Sequence, residues 1–264
     1  PGIARFRVNL YWQRGSMGGA FRLIQNEIRS LEALGMPTQL RDVAYLPRGM
    51  VLVTGPTGSG KSTTLASLID VVNRERASHI MTVEDPIEFL HRHQKSIVNQ
   101  REVGSDTHTF AAALKHVLRQ DPDVILVGEL RDLESISVAL TAAETGHLVF
   151  ATLHTVDAAQ SIDRIVDVFP PYQHGQIRTR LAASLQGVLS QTLLRKRGGG
   201  RVVATELLKM TPAISHLVRE GKSHQIYSML QSGGEQGMHT MDQSLAALVR
   251  DGVVDYSEAR DKAS

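Results

Sequence analysis

The sequence predicts an α/β fold built on a mainly parallel sheet of the P-loop kind, and three observations support that prediction. The first is a strand–loop–helix arrangement. The apolar run Met50-Val51-Leu52-Val53 feeds the loop Gly55-Pro56-Thr57-Gly58-Ser59-Gly60-Lys61-Ser62, and helix-prone Thr64-Leu65-Ala66-Ser67-Leu68-Ile69 leaves it. The second is the recurrence of short apolar runs at Ile80-Met81-Thr82-Val83, Val124-Ile125-Leu126-Val127 and Leu148-Val149-Phe150-Ala151-Thr152, separated by helical segments. The third is that acidic or imidazole groups follow each of those runs, at the strand ends where open parallel sheets bind ligands.

The loop carries the most specific chemistry. Glycines at Gly55, Gly58 and Gly60 let the backbone turn its N–H groups toward phosphate oxygens, and the following helix adds its positive N-terminal end. Gly55, Thr57, Gly58, Ser59, Gly60, Lys61, Ser62 and Thr63 form the expected cradle for a nucleotide's polyphosphate. Lys61 is expected along the β- and γ-phosphates, and the Ser62 hydroxyl on Mg²⁺.

Composition bounds the remaining possibilities. At 264 residues and 42% hydrophobic content, the chain is long enough to bury a substantial core as one large or two medium domains. No window approaches the roughly 18 consecutive apolar residues of a membrane span, and no secretory leader pattern opens the chain, so a cytoplasmic protein is expected. The absence of cysteine excludes disulfides and thiolate metal sites. A formal charge of +2, 5% aromatics and a single Trp argue against the cationic track and stacking platforms of a nucleic-acid translocase. The opening at Pro1 is the expectation for a fragment with strands upstream.

In chain order, residues 4–10 alternate with period two and place Arg5, Arg7 and Asn9 on one face of a half-buried strand. Ala20-Phe21-Arg22-Leu23-Ile24 reads as its hairpin partner across a glycine-rich turn at residues 13–19. Residues 1–34 are expected to be the tail of a β-containing domain whose earlier strands lie upstream, or else a hairpin packed on a neighbour, and 35–48, with a short helix at 38–45, to link them to the P-loop core, placed at 49–208. Within the core, Phe110, Leu114, Val117 and Leu118 mark one helix, and Leu133, Ile136 and Leu140 another. A helix is also expected where Ile177, Leu181, Leu185 and Val188 share a stripe, with a β-like return at 201–204 after Gly198-Gly199-Gly200. Residues 209–264 are expected to form a small helical region, with helices near 212–219, 223–231 and 241–250, the last opened by Thr240 and Gln243 at capping-box spacing.

Glu84-Asp85-Pro86-Ile87-Glu88, Gly128-Glu129 and Leu153-His154 follow the strands beside the P-loop strand. Glu129 stands where an ATPase carries the acid that orients water or assists Mg²⁺, while Gly128 occupies the place of the common metal-binding Asp. Arg131 and Asp132 offer the alternative of a surface charge cluster. The acidic turn also reads as an ordinary strand exit capped by Asp85. His147 and His154 flank one strand, and His154 falls at the Lys61 edge, where it can sense the γ-phosphate or serve structure. His91 and His93 lack a third ligand at metal spacing.

Taken in order, residues 55–62, Thr82-Val83-Glu84-Asp85-Pro86-Ile87-Glu88, residues 124–132 and Thr145-Gly146-His147-Leu148-Val149-Phe150-Ala151-Thr152-Leu153-His154-Thr155 resemble the Walker A, aspartate, atypical Walker B and histidine boxes of the secretion ATPases. The wider match resembles the retraction ATPases of type IV pili. That resemblance implies a RecA-like core preceded by a PAS-like domain, a homo-hexameric ring, and ATP held between the two domains. It implies a peripheral motor at the cytoplasmic face of the inner membrane, acting on a pilus platform protein, with a paralogous ATPase as an optional partner. By the same resemblance Glu129 is the catalytic acid and a candidate Mg²⁺ holder, and Glu88 the functional acid of the aspartate box. His147 and His154 are the two box histidines, His147 expected to bind nucleotide and His154 to take part in catalysis. Arg7, Arg14 and Arg22 are the cations that reach nucleotide as the domains close; a basic solvated strand face is the alternative. The family's retraction motif Ala-Ile-Arg-Asn-Leu-Ile-Arg-Glu is here Ala213-Ile214-Ser215-His216-Leu217-Val218-Arg219-Glu220, which leaves room for an accessory retraction paralogue or a related secretion or pilus-assembly ATPase.

Overall fold

A computed structural model describes residues 5–24 and 27–263; Ala4, expected to start the first strand, lies outside them. Two antiparallel strands, β1 (Arg5–Gln13) and β2 (Ser16–Ile24), form a separate sheet. The hairpin is tighter than the glycine-rich stretch predicts. Arg14 and Gly15 alone make the turn, with φ of 50° and 77°, and Met17, Gly18 and Gly19 pair within the ladder. A 3-10 segment, Thr38–Tyr45, occupies the place of the expected linker helix.

The main sheet contains β3 (Gly49–Thr54), β4 (His79–Glu84), β5 (Ile97–Glu102), β6 (Val124–Val127), β7 (Leu148–Leu153), β8 (Leu185–Arg195) and β9 (Arg201–Lys209). Their spatial order is β5-β4-β6-β7-β3-β8-β9. All neighbours are parallel except β8 and β9. This is the RecA-like α/β core, with β3 interior and its P-loop at the carboxyl edge.

Helices cover both faces. On one, α1 (Lys61–Glu75) and the 3-10 segment pack Leu40, Leu65, Leu68 and Ile69 against Val51, Val53 and Phe150. On the other lie α2 (Phe110–Val117), α3 (Leu133–Glu144), α4 (Ala158–Asp167) and α5 (His174–Ser184), whose Leu114, Ile136, Leu140, Ile162 and Leu181 meet Met50, Leu52 and Met81. Strands sandwiched this way read as continuous apolar runs, and burying a side chain such as Leu52 contributes about 2 kcal/mol. The chain then adds α6 (Pro212–Glu220), α7 (Ile226–Ser232), α8 (Met241–Arg250) and α9 (Tyr256–Arg260). The expected capping box is present: Thr240 accepts from Gln243 N–H and the Gln243 side chain accepts from Thr240 N–H. Met241, Leu245, Val254 and Ala259 dock α8 and α9 on Leu194 and Ala204 of the β8–β9 ribbon.

One expected stripe is corrected. Ile177 and Leu181 are helical, but Leu185 and Val188 belong to β8, because α5 ends at Ser184 and the chain becomes extended at once. Both faces of β8 are covered, so its sequence lacks the alternation that marks a strand.

Candidate active site

The P-loop leaves β3 beside the carboxyl end of β7 and under the end of β8. Gly55 is required by space as well as by its φ of 138°: a Cβ there would lie 2.2 Å from the Gln191 carbonyl oxygen. At the far end Gly60 is left-handed, with φ 94°, and starts α1 without a side-chain cap, so the first-turn N–H groups are left for an anion. Thr57 and Gly58 are exposed, Ser62 and Thr63 half-buried, and the buried Ser59 hydroxyl has no partner among the described residues. The Lys61 ammonium donates to the carbonyls of Gly55 at 2.7 Å and Pro56 at 3.1 Å, and lies 3.4 Å from His154 Nδ1. Burial holds Lys61 below the usual ammonium range against the opposing fields of Glu129 and Glu88.

Glu129 stands just past β6. Gly128 precedes it in a tight place: a Cβ would meet the Glu84 Cα and the Val83 carbonyl at 3.2 Å, so a side chain here would require the end of β4 to give by a few tenths of an ångström. Thr152 Oγ1 donates to the Gly128 carbonyl at 2.5 Å, and Leu130 N–H donates to the Thr152 carbonyl at 3.1 Å, fixing the turn to β7. Glu129 Oε1 lies 3.0 Å from His154 Nε2 and Oε2 lies 2.6 Å from Arg131 Nη2. Burial pushes this carboxyl up. The Arg131 hydrogen bond, with the charges of His154, Arg131 and Lys61, outweighs it and holds the group below the usual range, hence ionised. Lys61, His154, Glu129 and Arg131 thus form one continuous chain of polar contacts above the P-loop.

The aspartate-box acids divide. Glu84 points back into its own sheet, accepting from Thr82 Oγ1 at 2.6 Å and Gln100 Nε2 at 3.1 Å, and burial raises its pKa. Asp85 is exposed within the field of Arg131, and Glu88 is exposed within the field of Lys61. His147 lies at the opposite edge of the sheet, where its Nδ1 sits 3.0 Å from the Ala142 carbonyl. β7 separates it from His154 by about 20 Å. Arg7 and Arg22 are directly opposite one another on the hairpin and Arg14 is in its turn. All three are exposed, and among the described residues no hydrogen bond or ion pair joins them to the P-loop of the same chain. His93 Nδ1 accepts from Val98 N–H at 3.0 Å, while His91 is part-buried elsewhere in that loop. No cluster of three or more His, Asp or Glu converges among the described residues.

Two residues of the site are not predicted by sequence. Arg131 reads there only as a surface-charge neighbour, although its two-residue offset from Glu129 is a usable signal. Gln191 contacts both ends of the P-loop and carries no signal, since its strand is not recognisable in the sequence.

Residues 19–198 match the family described as Type II/IV secretion system protein. The chain belongs to that family. The chain is 56% identical to the type IV pilus retraction ATPase PilT of Pseudomonas aeruginosa, over 100% of its own length and 76% of the relative. It is 44% identical to the type IV pilus ATPase PilU of the same organism, over 98% and 68% of the two chains. A crystal structure of the pilus retraction motor PilT with bound ADP superposes with a TM-score of 0.94 at 52% identity, covering 99% of this chain and 75% of that one.

Proposed function

We propose that this chain is an ATP-hydrolysing motor of type IV pilus retraction, and that ATP binds at the P-loop. The observation that carries the reading is the Lys61–His154–Glu129–Arg131 chain above a glycine cradle, in a protein 56% identical to a PilT retraction ATPase. The cradle fits a polyphosphate: it offers outward backbone donors, a lysine and the unpartnered Ser59 hydroxyl. Mg²⁺ is held through one or two side chains plus phosphate, and Ser62, with Glu129 as the candidate acid, supplies such a set. When bound, Mg²⁺ neutralises charge on the phosphates.

The chain's own residues account for the rest. Lys61 and the loop N–H groups bind and orient the phosphates. Glu129, kept ionised, orients water and takes its proton, while Arg131 and His154 fix its two oxygens. His154 touches both Lys61 and Glu129, so it is placed to report the γ-phosphate to the acid. Glu88 shapes the field at Lys61 from outside. Arg7, Arg14 and Arg22 face solvent within one chain, free to reach nucleotide as the domains close or to serve a neighbouring copy in a homo-hexamer. Residues 1–34 end the PAS-like domain, 35–48 link it to the core at 49–208, and 209–264 form the helical subdomain. No helix among the described residues is long and apolar enough to cross a membrane. Work at the cytoplasmic face on a membrane-embedded pilus platform protein completes the reading.

Glu129→Gln is expected to retain nucleotide while losing about 10²–10⁴-fold in turnover. Hydrolysis at the wild-type rate would sink the assignment. Lys61→Ala is expected to lose productive phosphate binding instead. A second reading, an accessory retraction ATPase, is favoured by Ser215-His216 in α6, where the retraction motif has Arg-Asn. Deleting the gene separates the two: hyperpiliated, immobile cells indicate the motor, and unchanged retraction indicates the accessory protein.

A further inference from the structure

We propose that Gln191 is the residue that presets the P-loop for phosphate, a positioning residue acting from β8; this rests on the nucleotide-binding reading above. β3 ends at Thr54, paired with Ser190 of β8, but β8 continues to Arg195 and so runs as a rail beside the loop. Thr54 Oγ1 donates to Ser190 Oγ at 2.9 Å at the last shared rung. The next residue, Gln191, is 1% exposed and touches the loop with both backbone and side chain. Its carbonyl oxygen occupies the space a Cβ on Gly55 would need. Its Nε2 donates to the Ser59 carbonyl at 2.7 Å, and its Oε1 accepts from Thr64 Oγ1 at 2.9 Å. The amide orientation follows from chemistry, because a carbonyl can only accept and so must face the NH₂.

Those two bonds bracket Gly60, the left-handed residue where loop becomes helix. The planar trans peptide between Ser59 and Gly60 has its C=O and N–H on opposite sides. Holding the Ser59 carbonyl down on Gln191 therefore turns the Gly60 N–H away from β8, toward the concave side of the loop where a phosphate is cradled. The Thr64 bond fixes the first turn of α1 relative to the same peptide. Gln191 contributes no atom to the ligand; it holds a donor aimed that a left-handed glycine would otherwise let swing. Such an interaction serves substrate and transition state alike, so its loss is expected in binding rather than in the chemical step.

Binding of ADP to the full chain by calorimetry, with KM and kcat for ATP, tests this. Gln191→Leu keeps a buried side chain of similar bulk but orphans the Ser59 carbonyl. It is expected to raise the ADP Kd and the ATP KM about tenfold while kcat at saturation stays within about threefold. Unchanged Kd and KM, even with a lowered Tm, would reduce Gln191 to a packing residue and overturn the proposal. Gln191→Glu supplies a second route should the leucine variant fold poorly. The introduced carboxyl donates to the Ser59 carbonyl only when protonated, and burial favours that form. Its ADP affinity is expected to match wild type while the carboxyl is protonated and to fall several-fold where it ionises, and an affinity as low as that of Gln191→Leu at every pH from 6 to 8 contradicts the proposal. Failure of wild type itself to bind ADP would overturn the nucleotide reading, a result distinct from a variant that binds as wild type does.

Discussion

His91 shows how one side chain's surroundings set its chemistry. It is part-buried, its Nδ1 has no partner among the described residues, and burial drives its pKa down to about 4 despite the nearby Asp70 carboxylate. The folded state therefore keeps a neutral ring that the unfolded chain protonates near 6.5. Stability from this group is complete above pH 6.5 and is lost as the pH falls toward 4, by about 3 kcal/mol in full. Urea denaturation of His91→Leu is expected to lack that component of the acid slope. A slope identical to wild type would place the titration elsewhere. At this scale the site is largely legible in the sequence. Lys61, His154 and Glu129 converge because each follows a strand of one parallel sheet, and strand ends are readable from apolar runs. What spacing cannot supply is pairing: that Glu84 turns inward to Thr82 and Gln100, or that Arg131 holds Glu129, depends on side-chain direction across neighbouring strands.

Elements are joined here by buried polar groups as well as by apolar packing. Glu206 on β9 is 3% exposed and accepts from Ala158 N–H at 2.9 Å and Met241 N–H at 3.4 Å, so one carboxylate caps the starts of both α4 and α8. Burial pushes its pKa up, against the Ala158 hydrogen bond and with help from the like charges of Asp157 and Asp242. A carboxyl raised in the folded state stabilises most at low pH and less as pH rises through its folded pKa. Glu206→Ala, which orphans both N–H groups, is expected to cost about 2 kcal/mol at pH 5 and less at pH 8, read from chemical denaturation at each pH. A cost that grows with pH would contradict this sign. The two strands that the sequence does not reveal, β5 and β8, are hidden for opposite reasons. β5 is an edge strand whose Asn99, Gln100, Arg101 and Glu102 look like loop, whereas β8 is so thoroughly buried that its leucines continue the helical stripe of α5 without a breaker.

For the whole molecule, the hairpin is the part a single chain leaves unexplained. Phe6, Val8, Leu10, Trp12, Met17, Phe21 and Leu23 share one face and all are exposed, while Arg7 and Arg22 oppose each other on the other face. Like charges placed directly across strands repel, and an anion between them removes the repulsion. If Arg22 serves a neighbour's nucleotide, Arg22→Ala is expected to lower turnover about a hundredfold. Mixing it with Glu129→Gln is then expected to restore activity, because some mixed interfaces contain one intact acid and one intact arginine. No recovery on mixing would place the arginine within its own chain's site. The β8–β9 ladder has a mechanical consequence of its own. Ser190, bonded to Thr54, sits opposite Glu206, and Gln191, bonded to the P-loop, sits opposite Thr205, whose hydroxyl meets His239 Nε2 at 2.9 Å and whose N–H donates to Ser244 at 3.1 Å. Two adjacent rungs therefore link the phosphate loop to the C-terminal helices with no hinge between them. The ribbon therefore ties the position of the loop to that of α8 through a continuous run of hydrogen bonds, so neither can be described without the other.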